Sequence, residues 1–118
     1  MKVTLAQLSR RLADGHVTSR ELVEHALASI ADPAGEGARA FITVDAEGAR
    51  AAADLADLQR KRGRAPSPLA GIPFSSKDIF DLAGETTTSG SVVLRNAPPA
   101  AAAAVAIARL KAKGMIVV

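Results

Sequence analysis

The four residues Met115-Ile-Val-Val118 constrain the fold most, because all are apolar and they follow Gly114 at the end of a helix-like stretch. A strand with one face in water alternates apolar and polar side chains. A run with no polar position suits a strand covered on both faces, as in a sheet layered with helices. Leu69 to Ser76 is a second strand candidate, although Pro73 lacks the N–H that a full central ladder needs. With helical patterns between and before these runs, the expected class is α/β, a β-sheet covered by α-helices.

The helical segments carry their own start and stop signals. Thr4 and Gln7 form a capping box opening a helix to about Ala13, with Leu5, Leu8 and Leu12 on one face and Gly15 as the stop. Thr18 and Glu21 form another, opening a helix with Leu22, Val23, Ala26, Leu27 and Ile30 inward. Asp32-Pro33 ends it, giving a helical hairpin over about 4–32. Ala40-Phe-Ile-Thr-Val44 has strand composition, and Asp45 caps a helix to about Arg62, a strand–helix unit over 40–62. Ala49, Ala52, Ala53, Leu55 and Ala56 form its packing face, and Gly63 its stop. A lysine-bearing strand and loop follow over 69–91. Pro98-Pro99 then opens a helix from about Ala100 to Lys113, with Ala100–Ala104 as helix formers, completing a helix–strand unit over 99–118.

A chain of 118 residues holds at most one domain, and its apolar content of 48% is largely alanine, with three aromatics. Alanine buries little area, so the core rests on scattered Leu, Ile and Val. The expectation is a marginally stable piece of a larger domain. With no cysteine, disulfides, thiolate catalysis and Cys-ligated zinc are excluded. His16 and His25 have no second ligand at a metal-like spacing, and no nucleotide motif occurs, so neither metal nor cofactor is expected. An apolar leader and a run of about 18 apolar residues are both lacking, so the expectation is a cytoplasmic protein without a membrane partner.

The net charge of +3 and pI near 9.8 raise the question of nucleic acid. The basic cluster at Arg60-Lys-Arg62 and Arg64 falls at a helix C-terminus, where cations complement the macrodipole, and no aromatic accompanies it. A helix-turn-helix with Arg10, Arg11 and Arg20 at its junction is the weaker reading beside a plain helical hairpin. No direct nucleic-acid partner is expected; a homo-oligomer is left open.

Chemistry concentrates after the second strand candidate. Lys77 falls where that strand gives way to a loop, the place where open α/β sheets hold ligands. Burial would lower its pKa and leave a neutral amine able to take a proton from a serine. Asp78 and Asp81 oppose this, since a nearby carboxylate favours the charged form. From spacing alone an exposed strand-end lysine is the commoner case. Thr86, Thr87, Thr88, Ser89 and Ser91, with Gly84 and Gly90, suit either a pocket lining or a turn and cap. Ser75 shares a strand face with Lys77, but such close neighbours leave little room for a substrate.

The segment Leu69-Ala-Gly-Ile-Pro-Phe-Ser-Ser-Lys-Asp78, with Thr87-Thr-Ser-Gly-Ser91 after it, resembles the lysine motif of the amidase signature family. The opening helices, the Ala40–Val44 strand, and the helix from Ala97-Pro-Pro99 to Arg109-Leu110 with its Gly114 turn look like that family's N-terminal third, which implies the N-terminal portion of a mixed β-sheet sandwiched by α-helices. Where the family often has an aspartate after the paired prolines, this chain reads Ala101-Ala-Ala-Ala104. The resemblance implies an amide hydrolase cleaving a small-molecule carboxamide to acid and ammonia, with Lys77 as the lysine of a Ser–Ser–Lys triad. It also places both triad serines beyond Val118, so that these residues supply only the lysine and are inactive alone. Within the family, the alternative is the glutaminase-bearing subunit of a transfer-RNA-dependent amidotransferase; outside it, a non-catalytic remnant or interaction module. The loop Ser89-Gly-Ser91 favours the free-standing amidase.

Overall fold

In the computed structural model of the chain, which describes residues 3–118, both expected capping boxes are formed. Helix α1 (Leu5–Ala13) begins where the Gln7 N–H donates to Thr4 Oγ1 at 3.2 Å and the Thr4 N–H donates back to Gln7 Oε1 at 2.8 Å. Helix α2 (Ser19–Ala31) repeats the exchange between Thr18 and Glu21, and Asp32 ends it in extended geometry before Pro33. A single turn, α3 (Gly37–Ala40), leads to α4 (Ala46–Lys61), capped by Asp45 through the Gly48 N–H at 2.9 Å.

Strand β1 (Pro73–Phe74) and, after helix α5 (Val105–Ala112), strand β2 (Ile116–Val117) form a parallel pair with Pro73 opposite Ile116. The Ile116 and Val118 N–H groups donate to the Ile72 and Phe74 carbonyls, both at 3.1 Å. In a parallel ladder the intervening residue points its backbone groups the other way, so Pro73 sits where its missing N–H costs β2 nothing. The expected strand from Leu69 to Ser76 is thus reduced to two paired residues, because Leu69–Gly71 turn instead.

Helices α2 and α4 pack against each other, and Val23, Leu27, Ala49, Ala53, Ala56 and Ile116 form the core between them and β2. Small alanine side chains allow the close approach. On the solvent side of the same contact, Glu24 accepts from Arg20 and Arg50, each at 2.8 Å, and Arg20 reaches Asp54 at 2.7 Å. These pairings hold Arg20 against α4, and α2 packs on α3, α4 and β1.

Several expectations are corrected. Ala40–Val44 is not a strand: Ala40 ends α3, the Phe41 N–H donates back to the Gly37 carbonyl, and the residues after it join no ladder among the described residues, leaving Ile42 69% exposed. Strand composition yields no ladder without a neighbour. Leu5, Ala52 and Leu55, expected on packing faces, are exposed. The alanine run does not begin the last helix, which starts only at Val105. The Ala100 and Ala104 N–H groups instead donate to the Glu85 and Asp81 carbonyls at 2.9 Å, a tertiary pairing that overrides alanine's helix propensity.

The chain exposes 7928 Å², whereas a compact monomer of its 12.1 kDa exposes about 6000 Å². Its radius of gyration is 15.0 Å, against about 13.5 Å for a self-contained domain of this length. Four of the ten buried apolar residues among those described are alanines. These values match the expected small core.

Candidate active site

Lys77 lies on the loop leaving the carboxyl end of β1, and its side chain is exposed. The loop turns sharply there, with the Ile79 and Phe80 N–H groups donating to the Lys77 carbonyl at 2.8 and 3.1 Å. Burial by these residues therefore does not supply the desolvation that a Ser/Lys mechanism needs. The lysine faces a cavity of about 860 Å³, also lined by Ser75, Ser76, Thr86, Thr88 and Ser89. So the structure brings together Lys77, both nearby serines and most of the hydroxyl run.

The carboxylates beside Lys77 are turned to other partners. Asp78 accepts from the Thr88 N–H at 3.1 Å and, in a shorter bond, from the Thr88 hydroxyl. That hydroxyl, followed by the backbone N–H of Thr88, holds the Asp78 carboxyl below the usual aspartate range. Asp81 accepts from the Thr87 hydroxyl at 2.7 Å. The ion pairs among the described residues join Arg20, Arg39 and Arg50 to acids on the helical side, and none includes Lys77 or Asp78.

Thr88 also closes a turn, its carbonyl accepting from the Ser91 N–H at 2.8 Å. Both central residues have positive φ, 51° at Ser89 and 70° at Gly90. Glycine takes this geometry freely; a serine does so at a cost of about 1–2 kcal/mol. Ser91 then caps a 3-10 turn over Val92–Leu94 by accepting from the Val93 N–H. The Thr86 hydroxyl donates to the Ala97 carbonyl at 2.9 Å, and the Gly84 N–H to the Ala100 carbonyl at 2.8 Å. The hydroxyl run is thus both turn chemistry and cavity wall. What sequence reading missed is the pairing of Asp78 with Thr88 and Asp81 with Thr87; no period links residues ten and six positions apart.

The Amidase family model matches residues 21–118, which include Lys77, its loop and both strands. The chain belongs to the amidase signature family. It is 44% identical over 105 residues to the AtzE component of 1-carboxybiuret hydrolase from Pseudomonas sp. (strain ADP), covering 89% of this chain and 23% of that protein. It is equally 44% identical over 117 residues to a glutamyl-tRNA(Gln) amidotransferase subunit from Roseiflexus sp. (strain RS-1), covering 99% of this chain and 23% of that one. Native peptide amidase from Stenotrophomonas maltophilia superposes with a TM-score of 0.86 at 31% identity, covering 99% of this chain and 24% of the other. The chain spans about a quarter of the length of the relatives it matches, and its helices and parallel strand pair are a portion of their fold.

Proposed function

We propose that these residues form part of a single amidase domain and supply the lysine base of a Ser–Ser–Lys site that hydrolyses small carboxamides. The observation that carries the reading is the position of Lys77. It stands beyond the carboxyl end of a parallel strand, facing a cavity of a size suited to a small ligand, on a loop tied down by Asp78 and Asp81. The two serines belong to parts of the family fold outside the matched quarter, and those parts also cover Lys77 and desolvate it. Ser75, Ser76, Ser89 and Ser91 take neither role.

In the reaction, the nucleophilic serine attacks the carboxamide carbonyl while its proton passes through the bridging serine to the neutral Lys77 amine. Lys77 returns that proton to the departing nitrogen as the C–N bond breaks, leaving an acyl-serine and ammonia. Water, deprotonated along the same relay, then releases the acid and regenerates the serine.

A chimera tests this: the 118 residues replace the matching quarter of the carboxybiuret hydrolase component, and ammonia release from small carboxamides is followed. Lys77→Ala is expected to lower kcat/KM by about 10³-fold, and Lys77→Arg to give no rescue, because arginine does not deprotonate. A folded Lys77→Ala chimera with undiminished turnover overturns the reading. The isolated chain is expected to be inactive; Lys77-dependent turnover by it alone overturns that part.

The likeness to the amidotransferase relative over 99% of the chain favours a second reading, in which the ammonia comes from glutamine and passes to a partner. Comparing glutamine with simple carboxamides as ammonia donors in chimeras built on either relative separates the two.

A further inference from the structure

We infer that Asp78 is a positioning residue: through Thr88 it locks the lysine-bearing loop to the Thr86–Ser91 turn and so sets where Lys77 stands over the cavity. The inference rests on Lys77 being the base, as proposed above. A carboxylate next to a catalytic lysine would ordinarily hold the ammonium charged and oppose its work. Here its acceptor sites are directed to Thr88, whose N–H stands 3.1 and 3.3 Å from the two carboxylate oxygens and whose hydroxyl closes on one of them. Asp78 thereby anchors the backbone one residue from Lys77.

The far side of the lock is itself immobilised. The Thr88 carbonyl accepts from Ser91, the two residues between have positive φ, and the Thr86 hydroxyl is bound to Ala97. A turn held at both ends in left-handed geometry is a poor hinge, so restraint on Thr88 passes to Asp78 and the lysine loop. Asp81 and Thr87 add a second tie on the same two segments. With Lys77 exposed and paired with no acid among the described residues, these ties, which join its loop to the facing turn, are the side-chain contacts that fix its approach.

The test has two arms. In the chimera, hydrogen exchange read by mass spectrometry follows the segment holding the Thr88 amide in the parent, Asp78→Asn and Thr88→Val. Asp78→Asn retains an acceptor for the Thr88 N–H but not the pair of charged oxygens, and Thr88→Val removes only the hydroxyl. Both are expected to speed Thr88 exchange at least about tenfold while α2 and α4 amides stay as protected as before. In the chimera, Asp78→Asn is expected to lower kcat at least about tenfold with KM within about threefold, and Asp78→Glu to recover part of the loss. Unchanged Thr88 exchange in both variants overturns the lock. Faster Thr88 exchange with parental kcat overturns its role in placing Lys77. An active Lys77→Ala chimera instead sinks the base assignment, and with it this role for Asp78, while the exchange arm still reports whether the lock exists.

Discussion

Ser19 and Gly71 meet where only hydrogen fits: a Cβ on Gly71 would stand 1.8 Å from Ser19 Oγ. Both residues are buried, and Gly71 has a φ of 84°. The contact joins the first turn of α2 to the turn that feeds the lysine strand, so the α2–α4 pair sets the height of β1.

Gly71→Ala combines a steric overlap with left-handed geometry, and is expected to destabilise the chain by about 2–4 kcal/mol. Ser19 Oγ has no hydrogen-bond partner among the described residues, so Ser19→Ala alone should change stability by no more than about 0.5 kcal/mol. Together they should recover part of the Gly71→Ala loss, since the nearest remaining contact becomes the residue-19 Cβ at 2.8 Å. Urea midpoints measure all three, and an unaffected Gly71→Ala midpoint contradicts the close contact.

Asp57 on α4 accepts from the Ser19 N–H at 2.8 Å and the Arg20 N–H at 3.0 Å, satisfying two of the free donors at the start of α2. Asp57→Ala leaves them without a partner in a half-buried site, and the expected loss is about 1–2 kcal/mol. Equal urea midpoints for parent and variant would show that water serves these donors as well as Asp57 does.

The Glu24 carboxyl is lowered to about 2 by its hydrogen bonds from Arg50 and then Arg20. A depressed carboxylate contributes stability that is present above its unfolded pKa near 4.5 and lost as pH falls through the folded value. Parent stability should therefore decline between about pH 4.5 and pH 2 more steeply than that of Glu24→Gln. Because the group is about two-fifths exposed, about 1 M salt should narrow the difference. Parallel pH profiles of thermal midpoints for the two proteins would rule the contribution out.

The surface in excess of a compact monomer includes Ile42, Val92, Val93 and Val105, each more than 65% exposed. The isolated chain is expected to bind a hydrophobic dye and to associate reversibly at micromolar concentration, with a shallow urea transition. A monomer in sedimentation with a cooperative transition at high temperature would show that the small core suffices.

The helix starts were legible because their chemistry is local. Thr4 with Gln7, Thr18 with Glu21, and Asp45 with Gly48 each act over three residues, and Gly15, Gly63 and Gly114 stop helices with positive φ, as read. The last strand was legible from its unbroken apolar run, although only Ile116 of its four residues is buried here. Ala40–Val44 and Ala100–Ala104 misled for opposite reasons. One had strand composition without a partner, and the other had helix propensity but lent its N–H groups to Asp81 and Glu85.

Lys77 stood out by its motif, and the family that motif suggested is the one to which the chain belongs. The environment of the lysine was another matter. Asp78 looked like an electrostatic obstacle from its sequence position, and the fold makes it an anchor by bringing Thr88 to it across ten residues. The sequence by itself determined the caps, the stops, the apolar strand and the lysine, since each is written in residue types within a few positions. Only the tertiary structure decided which strands pair, which alanines are helical and where each carboxylate turns. Those outcomes depend on which distant backbone or hydroxyl group the packed fold holds within hydrogen-bond reach, and local chemistry does not encode that.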